Sequence, residues 1–203
     1  MTKPKPPIPE APPSPEIELS LNWSREATAA LSASGTSKQK VNAAVKTALK
    51  IALGAAPLYP ELKKSLVGTK TALFALDFFF EDDERVQELN KTHRSKDKPT
   101  DVLSFPLFEG EVFFFPNEEE EALMLGDMVI SIETAIKQAE EQRHDLESEM
   151  AFLTIHGALH LLGYDHANDK GRRQMFSLQD ELFEIFKLAR QGQRKVTTRA
   201  TSA

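Results

Sequence analysis

An apolar segment at 146–162 carries two histidines, His156 and His160, and a third, His166, follows it after Gly163. The segment has no proline, is rich in Leu, Ala and Met, and begins after Asp145, a residue type that caps helix N-termini. It is predicted to be a helix, which puts the first two imidazoles on one face with Cβ atoms roughly 5–6 Å apart. Glycine is the residue expected just past a helix end, so the chain can turn there and bring His166 back. Imidazole nitrogens are costly to bury unpaired, and the Leu, Ile, Ala and Phe side chains of 152–162 offer them no partners. A lone histidine on such a helix would read as a satisfied core residue. Two at one turn's spacing, with a third behind a glycine stop, read as ligands of a single cation.

Three neutral imidazoles with an open fourth position are the usual ligand set of a catalytic zinc site, where bound water is acidified towards neutrality. The chain contains no cysteine, so a zinc ion must be held by His, Asp or Glu, and no partner can be joined by a disulfide. In zinc peptidases with a His-Glu-x-x-His helix, the residue after the first histidine is the glutamate that serves as general base. Here that residue is Gly157, which removes the proton acceptor that peptidase chemistry needs.

A second informative stretch runs from Leu89-Asn90 through Arg94-Ser95-Lys96-Asp97-Lys98-Pro99-Thr100-Asp101 into Val102-Leu103-Ser104-Phe105-Pro106, from a charged helix through a basic loop into a strand. A third block is Leu125-Gly126-Asp127-Met128-Val129-Ile130-Ser131. With the histidine block, and in this order, they resemble the YbeY endoribonucleases over roughly residues 16–190. The resemblance implies a zinc-bound, single-strand-specific endoribonuclease of bacterial type. It implies action in rRNA maturation, above all at the 3′ end of small-subunit rRNA, and in ribosome quality control, with ribosomal components as partners. It places one zinc ion per chain on His156, His160 and His166, and a catalytic role on Arg94.

A guanidinium near the metal suits an RNA substrate, because paired donors can hold a phosphate oxygen and offset the charge that develops at phosphorus. Arg94 also reads as an ordinary loop charge, solvated or paired with Asp97 or Asp101. Lys96 and Lys98 could track a phosphate backbone or simply be solvated. Asp165 reads as a residue that orients an imidazole, as a proton acceptor, or as a turn residue. Asp127 has the same ambiguity between support for the site and a structural place at a strand end. His93 and His144 lie outside the ligand spacing and read as surface residues.

At 203 residues and 40% hydrophobic, the chain suits one domain with tails. No stretch approaches the ~18 consecutive apolar residues of a membrane span, and residues 1–16 lack the apolar core of a secretory signal. A cytoplasmic protein is the expectation. The net charge of −6 stands against broad nucleic-acid binding, so a nuclease of this composition must concentrate positive potential at its site.

Residues 1–15 hold seven prolines and read as an extended, disordered leader. Strands are predicted at 16–22, 71–79, 102–105 and 127–131, and helices at 37–53, 82–92, 132–143, 146–162 and 172–190. An acidic and aromatic insert at 108–123 reads as a protruding hairpin or loop, and 191–203 as a disordered basic tail. The pattern gives an α+β domain over 16–190. The resemblance adds a mixed four-stranded sheet covered by helices, with the ligand helix placed as in zincins. Two other functions fit the same residues: a zinc hydrolase of another ester or amide, and a ribosome-assembly factor with structural zinc. A structural site normally closes its fourth position with a protein ligand, and no cysteine or further nearby histidine is at hand to do so.

Overall fold

The structure, a computed structural model, describes residues 16–55, 73–107 and 122–200. Four strands and six helices follow one another among them: β1 (Glu16–Trp23), α1 (Arg25–Ala33), α2 (Lys38–Ala55), β2 (Leu73–Glu81), α3 (Asp83–Arg94), β3 (Val102–Pro106), β4 (Leu123–Ser131), α4 (Ile132–Gln142), α5 (Leu146–Leu161) and α6 (Asp169–Ala200). The sheet order is β1-β2-β4-β3. β1 and β4 run parallel to β2, and β3 runs antiparallel to β4, so the sheet is mixed and the class is α+β. No helix among the described residues is long and apolar enough to cross a membrane.

One face of the sheet carries the core. Phe74, Leu76, Phe78 and Phe80 of β2 are buried beside Leu125, Met128 and Ile130 of β4, and they pack in one cluster with residues of α2, α5 and α6. The other face is covered where α3 lays Val86 against Leu103 and Val129, with Phe79, Leu89 and Phe105 around them. The edge strand β1 alternates exposed Glu16, Glu18, Ser20 and Asn22 with half-buried Ile17, Leu19, Leu21 and Trp23, as a strand with one wet face should.

The helix α5 is buried on nearly every side and presses its backbone onto the sheet at Gly157. A Cβ there would lie 2.8 Å from the Met128 side chain and 2.9 Å from Ser104 Oγ. Ser104 Oγ–H donates to the Gly157 carbonyl at 3.3 Å, tying the helix to β3. The close approach explains the glycine in physical terms: a glutamate at this position has no room.

Several elements differ from expectation. The helix α1 was not foreseen, because only Ala27 and Leu31 of it are buried and its apolar stripe is short. It starts at Ser24, whose Oγ accepts from the Ala27 N–H at 3.0 Å. β4 begins at Leu123, ahead of the expected Asp127, because Gly126 sits inside the strand at φ +130° and reads locally as a breaker. The final helix spans Asp169–Ala200 rather than 172–190. His144, expected at the surface, is half-buried and pairs with the buried carboxylate of Glu149. The leader 1–15 and residues 108–121 of the insert lie outside the described residues.

Candidate metal centre

The three histidines come together as the spacing predicts, by a route the hydrogen bonds make explicit. The helix α5 ends in a Schellman arrangement, with Gly163 N–H on His160 O and Tyr164 N–H on Leu159 O, both at 3.0 Å. Gly163 adopts φ +88°, a left-handed conformation that glycine takes at little cost. The turn then delivers His166, whose backbone N–H donates to Asp165 Oδ1 at 2.7 Å. Ring centroids stand 4.8 Å apart for His156–His160, 5.1 Å for His160–His166 and 5.6 Å for His156–His166. One ligand nitrogen from each ring lies within 4.8 Å of the others, and this is the one such cluster of His, Cys, Asp or Glu among the described residues.

Two of the rings are fixed in tautomer by their outer partners. His156 Nδ1–H donates to Gln179 Oε1 at 2.9 Å, and His160 Nδ1–H donates to the Tyr164 carbonyl at 3.0 Å. Each therefore turns a lone-pair Nε2 inward, and these two nitrogens face each other at 3.2 Å. Two nitrogens bound at 2.0–2.1 Å to one tetrahedral zinc would stand roughly 3.4 Å apart, so the donor set fits the ion. Outer partners of this kind orient ligand imidazoles and raise their basicity.

Burial favours the neutral form of the His156 and His160 rings. Burial pushes His160 down to about 4, helped by the neighbouring His156 and His166, with Tyr164 O and Asp165 opposing. Burial also lowers His156, against the Gln179 hydrogen bond, and the positive charge of Arg94 contributes in the same direction as burial. Arg94 is therefore close enough for its charge to be felt at the cluster. It is the last residue of α3, exposed, and free of ion pairs among the described residues. The partners considered for it are engaged elsewhere: Asp97 with Lys91 at 2.7 Å and Gln87 at 2.9 Å, and Asp101 with Gln138 at 3.0 Å.

Lys96 and Lys98 are exposed in the loop that follows. That loop is pinned by the buried Asn90, whose side-chain Nδ2 donates to Lys98 O at 2.8 Å and whose backbone carbonyl accepts from Lys96 N–H at 3.3 Å. Asp127 is elsewhere. Its neighbour Met128 packs against Gly157, so strand alternation turns Asp127 to the opposite face of the sheet, in register with Asp77. Burial and the Asp77 charge raise its carboxyl above the usual range. His93 is exposed, edge-on to Phe105 with centroids 4.9 Å apart.

Sequence reasoning missed Gln179 and Asn90. The signal for Gln179 was present: it is a polar residue at a buried position of α6, flanked by Met175 and Leu182 on the core-facing stripe. Asn90 offered none that distinguishes it from other polar residues of a charged helix.

The family described as Endoribonuclease YbeY matches residues 31–187. A protein of that name from Macrococcus caseolyticus is 47% identical over 111 residues, which is 55% of this chain and 71% of the relative. Another, from Bacillus mycoides, is 47% identical over 116 residues, 57% of this chain and 74% of the relative. The solution structure of TM1509 from Thermotoga maritima aligns at TM-score 0.45 and 25% identity, covering 87% of this chain and 93% of that one. With a match over most of its length and relatives covered to that extent, the chain belongs to the YbeY endoribonuclease family, whose members are nucleases acting on RNA.

Proposed function

We propose that this chain is a zinc-dependent, single-strand-specific endoribonuclease with one zinc per chain, acting in the cytoplasm on rRNA at the small-subunit 3′ end and in ribosome quality control. The observation that carries the metal part is the inward pair of Nε2 atoms on His156 and His160, held there by Gln179 and the Tyr164 carbonyl, with His166 beside them. These three residues would hold the ion, which supplies Lewis-acid chemistry at a phosphoryl oxygen or a water. In this reading α5 is the zincin-like ligand helix.

The remaining roles fall to the chain's own groups. Arg94 binds a non-bridging oxygen of the scissile phosphate and offsets its developing charge. Lys96 and Lys98 draw in the flanking phosphates. Asp165, exposed on the turn, accepts the proton released by the attacking oxygen. That oxygen belongs either to water or to the substrate 2′-hydroxyl, and product ends distinguish the two, since internal attack leaves a 2′,3′-cyclic phosphate.

The test is cleavage of a single-stranded rRNA 3′-end transcript by purified protein, before chelation, after it, and after zinc is restored, with Arg94→Glu and His160→Ala alongside. Activity lost on chelation, regained with zinc and absent from both variants is the expected result. Equal activity in either variant would identify a contaminating ribonuclease. No activity from zinc-loaded wild type would favour another substrate or a binding role.

A further inference from the structure

A cleft of about 340 Å³ opens beside His156 between α5 and α6, lined by Asp101, Phe152, Phe176, Gln179 and Asp180. Phe176, Gln179 and Asp180 stand at i, i+3 and i+4 of one helix and so share a face. Phe176 leaves 42% of its surface exposed, with its ring 5.6 Å from that of His166. An aromatic plane open to solvent next to a candidate phosphate-cleaving centre is a stacking platform for a base.

The polar groups beside that plane have a definite polarity. Gln179 is 3% exposed, and its Oε1 is committed to His156 Nδ1–H. Its amide nitrogen makes no hydrogen bond among the described residues and is not a buried unsatisfied donor, so it is free to meet an acceptor in the cleft that Gln179 lines. Asp101 already accepts from the Val102 N–H at 2.8 Å and from Gln138 at 3.0 Å. Asp180 is exposed and makes no hydrogen bond or ion pair among the described residues. It is the open acceptor of the cleft, and its charge repels phosphate, so it favours a neutral group rich in N–H donors.

We propose that this cleft is a guanine subsite adjoining the metal centre. Phe176 stacks on the base, the Gln179 amide donates to O6, and the Asp180 carboxylate accepts from N1–H and the N2 amino group. Guanine is the one common RNA base whose Watson–Crick edge presents a carbonyl followed by two N–H donors. Uracil offers a single N–H between two carbonyls. Adenine and cytosine offer an amino group beside an unprotonated ring nitrogen, which would face the carboxylate. The proposal deepens the ribonuclease reading and rests on it for the nature of the ligand.

The test measures binding of zinc-loaded protein to 2′-O-methyl phosphorothioate single strands, which resist cleavage, carrying one guanine, inosine or adenine in a uridine background. The guanine strand is expected to bind about tenfold more tightly than the adenine strand, with inosine, which lacks the N2 amino group, between them. Asp180→Asn should erase the preference, and Phe176→Ala should weaken all strands about tenfold. Equal binding across the bases, a preference that survives Asp180→Asn, or Phe176→Ala binding like wild type would overturn the subsite. Cleavage of unmodified strands, read in parallel, separates the two ideas. Cutting without base preference, together with equal binding, overturns the subsite and keeps the ribonuclease. Guanine-selective binding without cutting keeps the subsite and overturns the ribonuclease.

Discussion

His156 can ligate through its inward Nε2 only if its proton sits on Nδ1, and Gln179 is what holds it there. Replacing Gln179 with leucine removes that acceptor in a buried place, so zinc affinity should fall 10- to 100-fold, about the usual effect of losing an outer partner. Gln179→Glu keeps an acceptor and should restore tight binding. Competition with a chromophoric chelator measures both, and unchanged affinity in Gln179→Leu would remove Gln179 from the site. The buried rings also couple proton binding to folding. With metal stripped, the folded chain takes a proton on His160 only near pH 4, whereas the unfolded chain does so near 6.5. Between these values the unfolded state binds more protons, so this contribution to stability is present above 6.5 and lost as pH falls towards 4. The urea midpoint of chelated protein should therefore drop between pH 7 and pH 5, and by less in His160→Asn.

At the scale of elements, two glycines set how the sheet packs: Gly126 where β4 meets β3, and Gly157 where α5 meets the sheet. Gly126 lies at φ +130°, and a Cβ there would stand 2.1 Å from the Phe105 carbonyl oxygen of the paired strand. Gly126→Ala should cost about 3 kcal/mol, from backbone strain and loss of the β3–β4 register. Gly157→Ala meets only the flexible end of Met128 and the Ser104 hydroxyl, so it should cost about 1–3 kcal/mol by overpacking. Denaturant unfolding ranks the two, and a milder effect at Gly126 than at Gly157 would contradict this account. The same elements show what local sequence can carry. The helix α5 was legible because its length, apolar run, Asp145 cap and Gly163 stop agree. The helix α1 was not, because its burial rests on the two residues Ala27 and Leu31, too few to make a periodic stripe.

Across the whole molecule, the chain sets a net charge of −6 against a cation site, Arg94, Lys96 and Lys98. Attraction of RNA is then local and opposed by the rest of the surface, so cleavage should fall steeply as salt rises from 50 to 200 mM and duplex binding should stay weak. A rate insensitive to salt would remove Lys96 and Lys98 from the substrate path. By itself, the sequence determined the helix of His156 and His160, the clustering of the three imidazoles and the turn that unites them, because helical period and glycine stops act within about twenty residues. It also singled out Arg94 as a candidate, through a block long enough to resemble a family. The tertiary structure alone decided that Asp127 faces away from the metal centre, that Gln179 reaches His156 from α6, and that Asn90 pins the basic loop. Which sheet face a strand residue takes, and which distant side chain meets a ring nitrogen, depend on register and on packing between elements. Neither is written in any local stretch of the chain.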